Sequence, residues 1–359
     1  MIQKEYTAEA RLAVPELGAV TWQSPSNIAL VKYWGKKPVQ LPANASISFT
    51  LKNCYTSTKL SFRKADERSV KVFVDGKEQS SFLKKIETFF KRIESYCPYV
   101  NHYAFEIETE NTFPHSSGIA SSASGFSALA LCVLSIERKA SRLSDADFYR
   151  KASFLSRLGS GSASRSIYGP MAVWGRHSNY TESSNDFSIP YHDVHDIFKT
   201  YQDTILLVDK GEKKVSSTLG HDLMNDHPFS ANRFQQARNH MFDLQKILKS
   251  GNILDFNRLV EKEALTLHAM MMTSNPYFML FKPNTLNIIQ KIWEKRESDN
   301  IPFTITLDAG ANVHLLYPAE YKQPALDFIK DELIVYCENE QYICDEVGNG
   351  PLLKTQHYA

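Results

Sequence analysis

The chain has 359 residues, of which 43% are hydrophobic and 23% charged, values typical of a globular protein with one large domain or two of ordinary size. Lys and Arg (41) almost balance Asp and Glu (40), which gives no support to nucleic acid as a partner, and the longest apolar stretch, 126–136, is too short to span a bilayer. The five cysteines form no Cys-x-x-Cys pair and no secretory core follows Met1, so we expect reduced thiols in a cytoplasmic protein.

The first half of the chain predicts strands interspersed with helices. Short alternating patterns predict strands at 20–24, 46–51, 57–62, 70–74, 103–109 and 171–174. Helical periodicity predicts helices at 82–96, 122–138 and 145–158. A loop is expected at 25–27, strands 46–51 and 57–62 are expected to pair, and Ser144 is expected to cap the third helix.

The second half begins after a polar, turn-rich stretch at 179–193, which we interpret as a domain junction. Beyond it the pattern predicts a buried strand at 204–208, long helices between 229 and 272, a helix at 285–296, a hairpin of 303–307 with 313–317, and a last helix at 325–333. Strands and helices do not alternate strictly, so the expected class is α+β in two lobes.

A serine-rich loop precedes the second helix and carries no charge between residues 114 and 125. Its backbone amides, and the positive end of the helix behind it, favour a bound phosphate. The residues expected to hold a nucleotide are Pro114, Ser116, Ser117, Gly118, Ala120, Ser121 and Ser122. The hydroxyl of Ser121 or Ser122 could reach phosphate or magnesium. No Gly-Lys-Ser/Thr follows, so the loop is not a Walker A motif, and a flexible connector is the alternative.

A second small-residue segment, 159–165, contains Ser160 and Ser162 and ends at Arg165. Small residues allow a ligand to approach the backbone, and an arginine can clamp a carboxylate or phosphate through two parallel hydrogen bonds. The alternative is a helix C-cap followed by a solvated arginine. Two such segments suggest two bound anions.

Two further places carry groups suited to chemistry. Lys32 and Lys36 flank Tyr33 in an otherwise apolar segment, where a lysine either lies along apolar surface or contributes to a site. Asp308 follows a predicted strand, and its carboxylate could act as a general base or hold an Asx turn. Ser217, after a charged loop, is another candidate contact for an anion.

Together these segments resemble the GHMP kinase superfamily and, within it, the diphosphomevalonate (mevalonate diphosphate) decarboxylase family. The resemblance rests on residues 24–36, 41–42, 46, 113–125, 159–169, 217–218 and 308–312, in family order along nearly the whole chain. Ala311 stands where the family often has proline, and Ser164 where cysteine is common. Neither difference removes a reacting group.

The resemblance implies a lobe like ribosomal protein S5 domain 2 at 1–195 and a ferredoxin-like lobe at 196–359, whose C-terminal tail could pack back on the first. It implies a cytoplasmic homodimer that uses ATP and Mg²⁺, with the substrate between the lobes. The implied reaction phosphorylates the tertiary hydroxyl of diphosphomevalonate, then loses phosphate and carbon dioxide to give isopentenyl diphosphate.

In the implied mechanism Asp308 takes the hydroxyl proton, Lys32 keeps that carboxylate ionised, and Arg165 binds the departing carboxylate. The substrate pocket is assigned to Tyr33, Lys36, Ser160, Ser162, Arg165 and Ser217, and Ser122 is the candidate magnesium contact through the ATP phosphates. One alternative is a GHMP kinase that phosphorylates mevalonate or a phosphomevalonate without decarboxylation. Another is a non-catalytic RNA-binding protein, which the balanced charge opposes.

Overall fold

The computed structural model describes residues 3–9, 12–114, 118–211 and 217–359, without the side chains of 217 and 218. The strands are β1 Leu17–Val31, β2 Lys36–Lys37, β3 Leu41–Pro42, β4 Ser46–Lys64, β5 Ser69–Val74, β6 Lys77–Glu78, β7 Tyr103–Asn111, β8 Met171–Trp174, β9 Ser188–Pro190, β10 Gln202–Leu206, β11 Thr304–Thr306, β12 Val313–Tyr317, β13 Tyr342–Glu346 and β14 Leu352–Tyr358. The helices are α1 Ser80–Ile93, α2 Ser121–Ala140, α3 Asp145–Gly159, α4 Ser217–Asp222, α5 Ser230–Ser250, α6 Ile253–Met272, α7 Pro283–Asp299 and α8 Lys322–Phe328. The α+β class expected from the sequence is confirmed.

The larger sheet has the strand order β14-β1-β4-β7-β5-β6, with β8 on β4 and β9 on β8. Two expectations for this sheet are wrong. Residues 25–27 are not a loop but continue β1, and 46–51 and 57–62 do not pair with each other but belong to the single strand β4. Both segments pair with β1, which is long enough to accommodate them in succession.

A bulge in β4 explains why its sequence looked like two strands. Pro25 pairs with Tyr55 while Asn27 pairs with Thr50, so residues 51–54 lie outside the β1–β4 ladder. The carboxylate of Asp345, in β13, accepts hydrogen bonds from the backbone N–H groups of Lys52, Asn53 and Cys54 at 2.7–2.9 Å. Because those donors are satisfied, the strand continues through the bulge.

Helices α2 and α3 pack behind the larger sheet and lead into the cleft described below. Helix α2 is buried along most of its length, and its Ser135 accepts a hydrogen bond from Trp22 Nε1 at 2.9 Å. Ser144 caps α3 as expected, since its hydroxyl accepts from the backbone N–H of Asp147 at 3.1 Å. Helix α2 reaches the cleft with its first residues and α3 with its last.

The smaller sheet has the order β11-β12-β10-β13 and packs against α6 and α7. The predicted hairpin is confirmed as the antiparallel pair β11–β12. Within the stretch 179–193, β9 pairs with β8 of the larger sheet, and Tyr180 donates from its hydroxyl to the carbonyl of Met241 in α5 at 2.9 Å. The C-terminal strand β14 returns to pair with β1. None of the helices in the described part of the chain is long and apolar enough to span a membrane.

Candidate active site

A cleft of about 970 Å³ lies where several chain segments converge. Its walls come from the segment after β1, from α1, α4, the first turn of α2, the end of α3 with the segment behind it, and the turn after β11. Of the residues expected to form a site, eleven line this cleft: Lys32, Tyr33, Lys36, Gly118, Ala120, Ser121, Ser122, Ser160, Ser162, Arg165 and Asp308. Segments far apart in sequence therefore meet at one place.

An ion pair lies in the wall of the cleft. Lys32 Nζ is 2.9 Å from Asp308 Oδ1, with side-chain exposures of 2% and 24%. Asp308 comes just after β11, and its backbone carbonyl accepts from the N–H of Gly310 at 2.7 Å, which tightens the turn. The pair leaves Asp308 accessible from the cleft, whereas the lysine stem is buried.

Buried charged groups hold the backbone of Lys32. Glu263, in α6, accepts the Lys32 N–H at 2.8 Å and both terminal nitrogens of Arg233, in α5, at 2.9 and 2.6 Å. His240 also hydrogen-bonds Glu263, and Arg233 donates to the Lys32 carbonyl at 3.3 Å. Burial alone would raise the pKa of Glu263, but the Arg233 charge and the hydrogen bonds from His240 and Arg233 lower it to about 2.

Arg165 also lines the cleft, lies on the 3₁₀ segment Gly161–Ile167, and is almost fully buried. Its Nε donates to Ser48 Oγ at 3.0 Å and to Asn27 Oδ1 at 3.3 Å, and its Nη1 donates to Ser46 Oγ at 2.6 Å. Burial lowers the pKa of Arg165 to about 10, although nearby Asp308 acts in the other direction. The guanidinium stays charged at neutral pH, and neutral hydroxyl and amide partners fix its orientation without cancelling its charge.

Close packing explains the small residues between α3 and Arg165. A Cβ atom on Gly159 would lie 2.3 Å from a ring carbon of Phe126, and one on Gly161 would lie 2.9 Å from the Tyr33 hydroxyl. That buried hydroxyl has no hydrogen-bond partner among the described residues, and the Tyr33 ring packs edge-on to Trp174 at 4.7 Å. A buried polar group in a cleft wall without a protein partner favours a ligand contact.

The first turn of α2 forms another wall. Ala120 precedes the helix in the left-handed conformation (φ 51°) and offers no side-chain cap, so the N–H groups of Ser121 and Ser122 are available to the cleft. Gly118 also has positive φ (88°), and a Cβ there would lie 3.7 Å from Cα of Gly310 in the Asp308 turn. The helix N-terminus and Asp308 are therefore neighbours.

Lys36, one of these eleven residues, has its Nζ 3.5 Å from Asp222 Oδ1 at the cleft wall. The four other residues expected at the site are Pro114, Ser116, Ser117 and Ser217. Pro114 is not among the lining residues. Ser116 and Ser117 lie outside the described residues, and Ser217 begins α4 with its side chain outside the description.

Several residues that line the cleft were not expected from the sequence, and two sets of them are polar groups of interest. One is a face of α1, where Lys84, Thr88 and Arg92 recur at a helical spacing of four beside Lys85. That spacing could have been noticed in the sequence. The other is His221 in α4, which no local pattern distinguishes.

Comparison with known proteins gives a consistent result. The family model for the diphosphomevalonate decarboxylase-like N-terminal domain matches residues 24–185, and that for the mevalonate 5-diphosphate decarboxylase C-terminal domain matches 204–354. Together they span most of the chain.

Individual relatives match over most of their length as well. A diphosphomevalonate decarboxylase of Debaryomyces hansenii is 29% identical over 328 residues, 85% of this chain and 81% of the relative. The crystal structure of mevalonate diphosphate decarboxylase from Staphylococcus aureus superposes with a TM-score of 0.82 and 28% identity, covering 94% of this chain and 98% of that chain. A structure of MDDEF in complex with MVAPP, AMPPCP and magnesium gives a TM-score of 0.82 and 26% identity, covering 94% and 99%.

Proposed function

The chain belongs to the diphosphomevalonate decarboxylase family, with the GHMP kinase fold, and we propose that its cleft converts (R)-5-diphosphomevalonate and ATP to isopentenyl diphosphate, ADP, phosphate and carbon dioxide. This reaction is a step of the mevalonate pathway of isoprenoid biosynthesis. The observation that carries the proposal is the Lys32–Asp308 pair in a cleft that also contains Arg165 and the N-terminus of α2.

The first chemical step is phosphoryl transfer to the tertiary hydroxyl, a hindered and weak nucleophile. Asp308, paired with Lys32, accepts the hydroxyl proton as the oxygen attacks the γ-phosphorus of ATP. Lys32 offers its remaining protons to the transferring group, whose negative charge it offsets. The hydroxyl is thereby converted from a poor leaving group into a phosphate ester.

The nucleotide phosphates are assigned to the first turn of α2. The uncapped N–H groups of Ser121 and Ser122 and the helix dipole favour negative charge there, and this fits a nucleotide triphosphate. Related MDDEF binds AMPPCP and magnesium, which supports ATP and Mg²⁺ here. Ser122 is the candidate contact to Mg²⁺, whose charge would offset that of the phosphates.

Phosphate then leaves the carbon that carried the hydroxyl, and carbon dioxide leaves the adjacent carbon. The C–O bond breaks with its electrons on the departing phosphate, and the electrons of the C–carboxylate bond form the new double bond as carbon dioxide leaves. Arg165 binds the carboxylate and fixes its angle to the breaking bond. Tyr33, Lys36, Ser160, Ser162 and Ser217 are assigned to the remaining substrate groups.

The proposal extends to the organisation of the protein, for which we assign residues 1–195 and 196–359 to the two lobes and expect a homodimer in the cytoplasm. The near-equal numbers of basic and acidic residues support a small-molecule substrate over a nucleic-acid partner. Light scattering of the purified protein tests the dimer.

Assays with three candidate substrates test the function. The purified protein is incubated with MgATP and mevalonate, its monophosphate or its diphosphate, and both ADP and carbon dioxide are measured. We expect both products in equal amounts with the diphosphate alone. ADP without carbon dioxide, with any of the three, would identify a plain kinase and contradict the proposal.

A further inference from the structure

His221 is a residue of the cleft that the mechanism above does not use. It lies in α4, lines the cleft and is mostly buried. Its ring lies 4.3 Å from the ring of Tyr33 and 4.6 Å from that of Trp34. The imidazole therefore packs against the segment after β1, beside Tyr33, which is assigned to the substrate.

The hydrogen bonding of His221 determines its tautomer. The backbone N–H of Gly35 donates to Nδ1 at 3.0 Å, so Nδ1 is an acceptor and carries no proton. Burial, with the charges of Lys36 and Arg165, lowers the pKa of His221 to about 3, which keeps the ring neutral. The single ring proton is then on Nε2, and no described residue accepts it.

We propose that His221 is a further substrate-binding residue, which donates a hydrogen bond from Nε2 to a phosphate oxygen of the diphosphate. This inference rests on the proposed function, since it concerns the anion held by the same cleft. The diphosphate is favoured because the carboxylate is assigned to Arg165, whereas Lys36, assigned to the remaining substrate groups, pairs with Asp222, the next residue after His221. A neutral donor adds a directed hydrogen bond without adding to the repulsion among the surrounding cations.

Replacements that keep a hydrogen-bonding atom at the position of only one ring nitrogen, or of neither, test this role. Glutamine can place its amide nitrogen where Nε2 lies, and asparagine can place its amide oxygen where Nδ1 lies; phenylalanine keeps only the ring. Calorimetry then measures the Kd of each variant for diphosphomevalonate, which requires no turnover. His221→Asn and His221→Phe lose a hydrogen bond to a charged group, so we expect their Kd to be about tenfold to a hundredfold higher than that of wild type. We expect His221→Gln to stay within about threefold of wild type.

The outcomes separate the possible roles. A residue that only accepts from Gly35 would give the reverse order, with His221→Asn like wild type and His221→Gln impaired, and would overturn the inference. So would a loss confined to the KM for ATP, which would place the donor at the nucleotide phosphates, or unchanged Kd values in all three variants. Wild-type protein that binds diphosphomevalonate but releases no carbon dioxide would contradict the proposed function and leave the test of His221 intact.

Discussion

Lys32 and Asp308 lie 276 positions apart in the sequence, yet their side chains are joined at 2.9 Å in the cleft. Lys32 directly follows β1 of the larger sheet, and Asp308 lies on the turn after β11 of the smaller sheet. The pair therefore depends on the packing of the two sheets, and it places a carboxylate with a fixed positive partner beside the first turn of α2.

The first prediction concerns this carboxylate. Asp308→Asn keeps the shape of the side chain but removes its ability to take a proton, so we expect kcat to fall by about 10²–10⁴. The Kd for ATP should change by less than about threefold, because the asparagine side chain is neutral and a single neutral contact makes a small net contribution to the free energy of binding. Steady-state rates and calorimetry check both numbers. Asp196→Asn, at a surface pair with Lys199, is the matched control and should leave kcat unchanged.

A second prediction concerns the guanidinium of Arg165. Lysine retains the charge but cannot satisfy Ser46, Ser48 and a substrate carboxylate together, so we expect Arg165→Lys to lower kcat/KM by about 10²-fold or more. Arg258→Lys, at an exposed position, is the control. A kcat/KM for Arg165→Lys equal to that of wild type would show that the carboxylate binds elsewhere.

The third prediction is about stability and its pH dependence. Glu263→Gln leaves Arg233 without its buried partner, so the free energy of unfolding at pH 7 should fall by about 3–5 kcal/mol. The folded pKa of Glu263, about 2, lies below the usual value of about 4.3, so its stabilising effect is complete above pH 4.3 and declines as the pH falls towards 2. Urea unfolding of both proteins at several pH values measures this, and a constant difference down to pH 2 would contradict it.

The fourth prediction separates nucleotide binding from helix capping. Ser122→Ala removes a proposed contact at the start of α2 and should raise the KM for ATP about tenfold. Ser144→Ala removes the cap of α3, away from the cleft, and should lower the free energy of unfolding by about 1 kcal/mol without changing that KM. Equal KM values for ATP in the two variants would argue against the assignment of Ser122.

The sequence predicted those parts of the fold that local patterns determine. The α3 cap at Ser144 and the β11–β12 hairpin depend on neighbouring residues, and both were predicted. The course of β1 through Pro25 and the bulge in β4 were not, because the bulge is stabilised by Asp345, some 290 residues away in the chain.

The candidate site shows the same division. Local pattern left Lys32 and Asp308 with two interpretations each, and only the family resemblance placed them together. Glu263 and Arg233 went unnoticed because a buried ion pair between two helices looks, in sequence, like solvated charge. His221 is defined by its contacts with Tyr33, Trp34 and Gly35, which no spacing along the chain reveals.

An isotope experiment tests the central claim, that this cleft phosphorylates the tertiary hydroxyl before decarboxylation. Diphosphomevalonate carrying ¹⁸O in that hydroxyl is converted by the wild-type protein with unlabelled MgATP in unlabelled water, and the released phosphate is analysed by mass spectrometry. We predict one ¹⁸O atom in each phosphate, in proportion to the carbon dioxide formed. Unlabelled phosphate formed together with carbon dioxide would contradict it, because the C–O bond would then have broken without a phosphoryl group on that oxygen.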